Sequence, residues 1–265
     1  MSPITLIQSI FLGIVQGLTE FIPVSSSGHL VFFQSLFGLK EPQLFFDVLL
    51  HVGTLLAVVV YLRSDLWKMV RGSADAIKTG EFNPSAKLLL WVLIATIPTG
   101  LMGVFLTHWF ESLFSMPKLV GIMLLITGII LFLTRTIRRE GRGVKEMTWV
   151  DSILIGIGQG IAIIPGISRS GTTISSGLFR GLDRELSGKF SFFLSIPAIL
   201  GAAVLHLREG GMEGELKLSL VGMAVAFIVG FLSLTFLMQV IKRGKLSLFS
   251  YYCWAMGITI ILLAE

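Results

Sequence analysis

The sequence predicts an all-α integral membrane protein: an inverted-repeat bundle of six transmembrane helices plus two re-entrant helix–loop–helix hairpins. Three observations carry this. First, 54% of the 265 residues are hydrophobic and only 14% are charged, where a soluble domain carries about 25% charged residues. Second, six apolar segments reach the roughly 20 residues needed to cross a bilayer: 44–62, 87–106, 117–134, 188–206, 217–240 and 248–263. Third, one polar motif recurs in altered form 143 residues further on.

Two apolar regions are interrupted. Residues 3–38 break at Pro23–Gly28, and residues 150–179 break at Pro165–Gly171. About ten apolar residues follow each break, too few to cross. Each region therefore reads as a hairpin that enters the membrane and returns to its own side. Broken backbone at that depth is tolerated only where protein or a water-filled cavity satisfies it. The whole chain, 1–265, reads as a single membrane domain. "MSPITLIQSI" lacks the basic start and cleavage site of a signal peptide and is expected to be retained. A lone Cys253 excludes an intrachain disulfide. The net charge of +5 is scattered over loops without interleaved aromatic residues, which argues against a nucleic acid partner.

Charge sets the orientation. The loops 63–87, 135–148, 180–189 and 241–247 together carry sixteen Lys or Arg, and the opposite side carries Lys40, Lys118, Arg208 and Lys217. The positive-inside rule makes the sixteen-residue side cytoplasmic and turns both termini outward. A full span at 3–22 followed by a short second crossing would preserve the same parity.

At an offset of 143, "GIVQGLTEFIPVSSSGH" falls on "GIGQGIAIIPGISRSGT". Seven of seventeen positions match: Gly13/Gly156, Ile14/Ile157, Gln16/Gln159, Gly17/Gly160, Ser25/Ser168, Ser27/Ser170 and Gly28/Gly171. Each unit is a hairpin followed by three spans: 1–134 with hairpin 3–38, and 149–265 with hairpin 150–179. Three is odd, so the second unit is inverted, as in transporters whose broken helices meet near the midplane. Gly13, Gly17, Gly156 and Gly160 precede the breaks and read as helix-packing residues.

The mismatches point to chemistry. Glu20 faces Ile163, Ser26 faces Arg169, and His29 faces Thr172. Ionisable groups at membrane depth are costly and mark function. Helices starting near Gly28 and Gly171 would aim N–H groups at an anion. Ser25, Ser27, Gly28, Ser168, Ser170, Gly171, Thr172 and Thr173 are the candidate phosphate donors. Arg169 adds a planar fork suited to phosphate oxygens. A phosphate site inside a bilayer suggests a lipid phosphate. Gln16 and Glu20, four apart on one helix face, could ligate a divalent cation bridging a diphosphate. Ser26 is the first choice of nucleophile, with Glu20 or His29 taking its proton and Arg169 stabilising the phosphoryl oxygens. Histidine as nucleophile, or a directly activated water, stays open. So does a different class, a transporter or flippase of the lipid phosphate, and more weakly a small-anion channel.

"QGLTEFIPVSSSGHL" and "PGISRSGTTI", with "FDVLLHVGTLLAVVVY" from Phe46 and "FSFFLSIPAILGA" from Phe190, resemble the bacterial undecaprenyl pyrophosphate phosphatase family, also called the bacitracin-resistance protein family. The likeness covers almost the whole chain. Its first motif falls on Gln16, Glu20, Pro23, Ser25, Ser26, Ser27, Gly28 and His29, its second on Pro165, Gly166, Ser168, Arg169, Ser170 and Gly171. The resemblance implies hydrolysis of the C55 isoprenyl diphosphate to the monophosphate and inorganic phosphate, recycling the carrier for peptidoglycan. It implies bacitracin resistance, because bacitracin binds that substrate. It also implies a site open to the external face of the bacterial cytoplasmic membrane, a divalent cation (Mg or Ca) bound with substrate, and no organic cofactor. A homodimer is allowed. Gln16 departs from the pattern where some members have a second glutamate, and Asp47 aligns with an acidic position.

Overall fold

The computed structural model describes residues 4–39, 43–106, 109, 113, 116–137, 140–208 and 216–263. Lys40, Arg138, Arg139, the side chain of Arg208, the start of the first hairpin at Pro3 and both chain ends lie outside the described residues. Eleven α-helices are described: α1 (Leu6–Thr19), α2 (Ser26–Leu36), α3 (Leu44–Tyr61), α4 (Arg63–Thr79), α5 (Pro84–Phe105), α6 (Pro117–Leu133), α7 (Trp149–Ile161), α8 (Arg169–Phe179), α9 (Arg184–Arg208), α10 (Leu216–Lys242) and α11 (Phe249–Leu263). Six of the described helices are long and apolar enough to cross a membrane, each overlapping one expected span.

The segment 63–87, read from sequence as a loop, instead contains helix α4. The span signal is a long apolar run, and α4 is polar over most of its surface, with Met69 its one buried residue. Gly80, at φ 74°, ends it in the left-handed conformation that favours glycine. Asn83 then caps α5 by accepting from the Ala86 N–H.

Lipid-embedded helices gain little from apolar burial against one another, so close backbone approach matters more. The repeated glycines serve that purpose. A β-carbon on Gly13 would lie 2.7 Å from the Gly222 carbonyl oxygen, and one on Gly17 2.8 Å from Gly230 N, so α1 rides directly on α10. In the second half, Gly156 meets the Ala95 carbonyl and Gly160 meets Met102, so α7 rides on α5 in the same way. The third spans pack on each other at Gly121 and Gly257, and Trp254 Nε1 donates to the Leu125 carbonyl (3.2 Å).

The four basic loops meet at one end of the bundle. Lys87 reaches the Lys145 carbonyl, Lys189 pairs with Asp65 (3.2 Å), and Lys242 pairs with Glu185 (3.0 Å). Asp151, in the first turn of α7, is fully buried there. It accepts both Arg142 guanidinium nitrogens (3.0 Å each), Arg180 Nε (2.8 Å) and the Thr148 N–H (2.9 Å). Arg180 follows α8, so α7 leaves from the end to which α8 returns. Burial alone pushes the Asp151 carboxyl up, but the Arg142, Thr148 and Arg180 hydrogen bonds together hold it below the ordinary carboxylate range.

That depressed value sets a sign. The stability contributed by Asp151 is fully present above its unfolded value and is lost as pH falls through the lower folded one. Asp151→Asn is expected to lower stability by roughly 2 kcal/mol, less than a fully buried pair because both arginines are a third or more exposed. Melting temperatures of wild type and variant in detergent, converging only at pH below the carboxylate range, test this.

Candidate active site

Both breaks end on a serine N-cap. Ser25 Oγ accepts from the Gly28 N–H (3.4 Å), and Ser168 Oγ accepts from the Gly171 N–H (3.1 Å). Because the capping serine comes first, the helices start at Ser26 and Arg169, two residues before the expected starts at Gly28 and Gly171. Within each half the next hydroxyl closes on the cap: Ser25 Oγ to Ser27 Oγ and Ser168 Oγ to Ser170 Oγ are both 3.3 Å. Ser25 adopts φ 67°, the one positive value among the described non-glycine residues. Such strain persists only where surrounding contacts over-determine it.

The two breaks touch reciprocally. A β-carbon on Gly28 would lie 3.8 Å from Gly166 Cα, and one on Gly171 would lie 3.2 Å from Pro23 Cβ. Pro23 and Gly166 are equivalent at the repeat offset, as are Gly28 and Gly171. Gly166 itself sits at φ 92°, and a side chain there would strike the Val120 carbonyl of α6. Thr127 of α6 fixes this turn, donating to the Gly166 carbonyl (3.0 Å) and accepting from the Ser168 N–H (3.1 Å).

Glu20 is the point of convergence. It follows α1, and its N–H still bonds the Gln16 carbonyl (2.9 Å). Arg169 NH2 donates to Glu20 Oε1 at 2.6 Å, joining the two halves across 149 residues of sequence. Ser26 Oγ donates to Glu20 Oε2 at 2.7 Å, and Gln16 Nε2 donates to the same oxygen at 3.1 Å. Glu20 is buried, while the Arg169 side chain is 17% exposed and Ser26 is half-buried. Arg169 NH1 also reaches the Ser191 carbonyl (3.5 Å). A buried carboxylate held by a guanidinium and a hydroxyl can take a proton from that hydroxyl, while the guanidinium stays available to phosphoryl oxygens.

Of the sequence-predicted residues, Gln16, Glu20, Ser26 and Arg169 are brought together, with the serine pairs at the two helix starts. His29 stands apart from Ser26: its Nδ1 lies 2.8 Å from the Ser25 carbonyl and its Nε2 2.7 Å from the Tyr252 hydroxyl. Thr173 bonds the Arg169 carbonyl (2.8 Å) and faces Ser191 Oγ (2.6 Å). The Thr172 hydroxyl is buried without a partner, its methyl turned to Gly158. Asp47 accepts from Gln34 Nε2 (2.7 Å), tying α3 to α2. For a cation, the hard donors at the centre are a Glu20 oxygen and Gln16 Oε1, which is buried and unpaired. Among the described residues no three His, Cys, Asp or Glu side chains gather as a metal cluster.

Sequence reasoning missed His51, Ser191 and Tyr252. His51 Nε2 lies 3.7 Å from Glu20 Oε2, its ring oriented by Nδ1 on the Asp47 carbonyl (2.7 Å). A histidine four residues from Asp47 within an apolar span was a readable signal. Tyr252 offered none, since Tyr is ordinary at membrane interfaces.

A family model described as bacitracin resistance protein BacA matches residues 9–259. The chain belongs to the BacA family. Other BacA-like chains are similar over nearly their full length. A protein named undecaprenyl-diphosphatase from Carboxydothermus hydrogenoformans is 43% identical over 262 residues, covering 97% of this chain and 96% of its own. Proteins of the same name from Desulfosudis oleivorans (45% over 263 residues, 95% and 96%) and Methanobrevibacter smithii (44% over 267 residues, 96% and 96%) are similar to it as well. In this BacA-family chain both motif regions fall within the matched residues, and both converge on Glu20.

Proposed function

We propose that this chain is an undecaprenyl-diphosphate phosphatase, releasing inorganic phosphate from the lipid diphosphate and returning the monophosphate carrier to cell-wall synthesis. The observation that carries the chemistry is the pair of short bonds on one carboxylate: Ser26 Oγ on Glu20 Oε2 and Arg169 on Glu20 Oε1. Ser26 Oγ attacks the terminal phosphorus and its proton passes to Glu20. The bridging P–O bond breaks and the isoprenyl monophosphate departs, with Glu20 giving its proton to the departing phosphate. Water then attacks the phosphoserine, Glu20 takes its proton, the P–Oγ bond breaks, and that proton returns to Ser26. Arg169, the Ser27 and Ser170 hydroxyls and the N–H groups opening α2 and α8 hold the phosphoryl oxygens.

Gln16 Oε1 and Glu20 fit a hard divalent cation, Mg or Ca, arriving with the diphosphate, whose own oxygens would complete its shell. Such an ion would neutralise charge on the diphosphate. Bacitracin acts on this reading by sequestering the substrate.

The same proposal takes α1–α2 and α7–α8 as re-entrant hairpins of two inverted repeats, 1–134 and 149–265. What supports it is the reciprocal packing: α1 on α10 against α7 on α5, and α6 on α11. The basic loops are taken as cytoplasmic in the bacterial plasma membrane, with the site open to the outer face. That symmetry also favours a lipid-phosphate carrier as a second reading. Phosphate release from undecaprenyl diphosphate by purified protein in detergent, where no second compartment exists, separates the two. Turnover supports the phosphatase, and lipid binding without release under any divalent cation leaves the carrier.

A further inference from the structure

His29 is 2% exposed, and both ring nitrogens are engaged. The Ser25 carbonyl can only accept, so Nδ1 carries the proton and Nε2 is left as an acceptor. The group facing Nε2 is the Tyr252 hydroxyl, which therefore donates to it. The two rings also stack, with centroids 5.7 Å apart and planes 14° from parallel. This contact crosses the molecule, because Tyr252 comes from α11 in the second half and His29 from α2 in the first.

The neighbours of Tyr252 fix its position. Cys253 is buried, with Sγ 3.5 Å from the Pro23 carbonyl inside the first break. Trp254 is tied to the Leu125 carbonyl of α6. Three consecutive residues of α11 thus engage α2, the break before it and α6, so the helix cannot rotate without releasing all three. At the other side of the ring, the Ser25 carbonyl is aimed by the positive φ of Ser25. The imidazole is held between a strained backbone carbonyl and a phenol.

We propose that Tyr252 is a positioning residue for His29: its hydroxyl donates to Nε2, holds the ring in the Nδ1–H tautomer, and so keeps Nδ1 donating to the Ser25 carbonyl at the break that places Ser26. The proposal rests on the phosphatase reading for its kinetic consequence, and on geometry alone for the contact. Tyr252 is itself 46% exposed, so removing its oxygen leaves the packing of α11 in place.

The experiment is Tyr252→Phe in the full chain. Phenylalanine keeps the stacked ring and deletes only the donor. In steady-state phosphate release, kcat is expected to fall about five- to tenfold, the worth of one lost hydrogen bond behind the turn that places Ser26, with KM for the lipid diphosphate within about twofold. In protein labelled with ¹⁵N-histidine, the Nε2 resonance absent from His29→Gln is expected to shift in Tyr252→Phe. Tyr252→Trp, whose ring N–H is a donor of similar reach, is expected to recover part of the kcat. An unshifted Nε2 resonance, or a kcat equal to wild type, overturns the proposal. If wild type releases no phosphate at all, the phosphatase reading fails, while the resonance shift still decides the contact.

Discussion

Glu20→Gln is expected to lower turnover by at least about 10³-fold, because it removes the proton acceptor of Ser26 at once with the counter-charge of Arg169. Glutamine keeps the shape and can still accept from Ser26, so the loss reads charge and basicity rather than volume. A second effect follows from burial. Arg169, paired in wild type at 2.6 Å, is left with a neutral amide and the Ser191 carbonyl. Breaking such a pair from one side costs about 3–5 kcal/mol when both groups are buried, and less here because Arg169 retains some exposure. The double variant Glu20→Gln, Arg169→Met is then expected to melt above the value that the two single variants predict by addition. Phosphate release and thermal melting in detergent measure both. A Glu20→Gln protein that turns over within tenfold of wild type would remove Glu20 from the chemistry.

Much of this was legible in the sequence because membrane burial writes in long runs. Each of the six spans is an apolar stretch that nothing but lipid or another helix tolerates, and their ends fall close to where the runs stop. The breaks were legible for the opposite reason: Pro23 to Gly28 and Pro165 to Gly171 are poor in the residues that continue a buried helix. The contacts of Gly28 with Gly166 and of Gly171 with Pro23 join positions equivalent at the repeat offset, but the sequence alone did not name them. Helix α4 was not legible, because a polar helix packed on one face differs little in hydropathy from a loop. The helix starts at Ser26 and Arg169 were displaced from expectation because the cap is a side-chain bond, invisible to a pattern of polarity. Nor could the sequence pair His29 with Tyr252 or bring His51 to Glu20, since both contacts depend on how helices far apart in the chain are rotated.

The asymmetry within the symmetric frame has a physical logic. The serine caps and the packing glycines occur twice because both broken helix pairs need the same backbone to turn and to approach a neighbour. A diphosphate ester has distinct ends, so the reacting groups need not repeat. Position 26 carries the hydroxyl in one half, and its equivalent, position 169, carries the guanidinium in the other. Each reaches a different oxygen of the same carboxylate. On the proposed mechanism Glu20 is the hinge between an attacking group and a charge-stabilising one.

Ser26→Ala is expected to abolish turnover, by at least about 10³-fold, and to leave the fold intact. Ser26 is half-buried and its side chain makes one bond, to Glu20, so alanine removes a hydroxyl without opening a cavity. The prediction separates the nucleophile from a water activated directly by Glu20. Were water the attacking group, deleting Ser26 would free the second Glu20 oxygen to orient it, and activity would persist within about tenfold. Quenching of wild-type protein in denaturant at neutral pH during turnover, where a phosphohistidine would also survive, followed by peptide mass spectrometry, gives the complementary test. A phosphoryl group on the peptide containing Ser26, lost after longer incubation without substrate, is the expected intermediate. Its absence together with an active Ser26→Ala protein would move the attack to water and leave Ser26 as a ligand of the substrate, whereas phosphate found on His29 would move it to the imidazole that Tyr252 now holds.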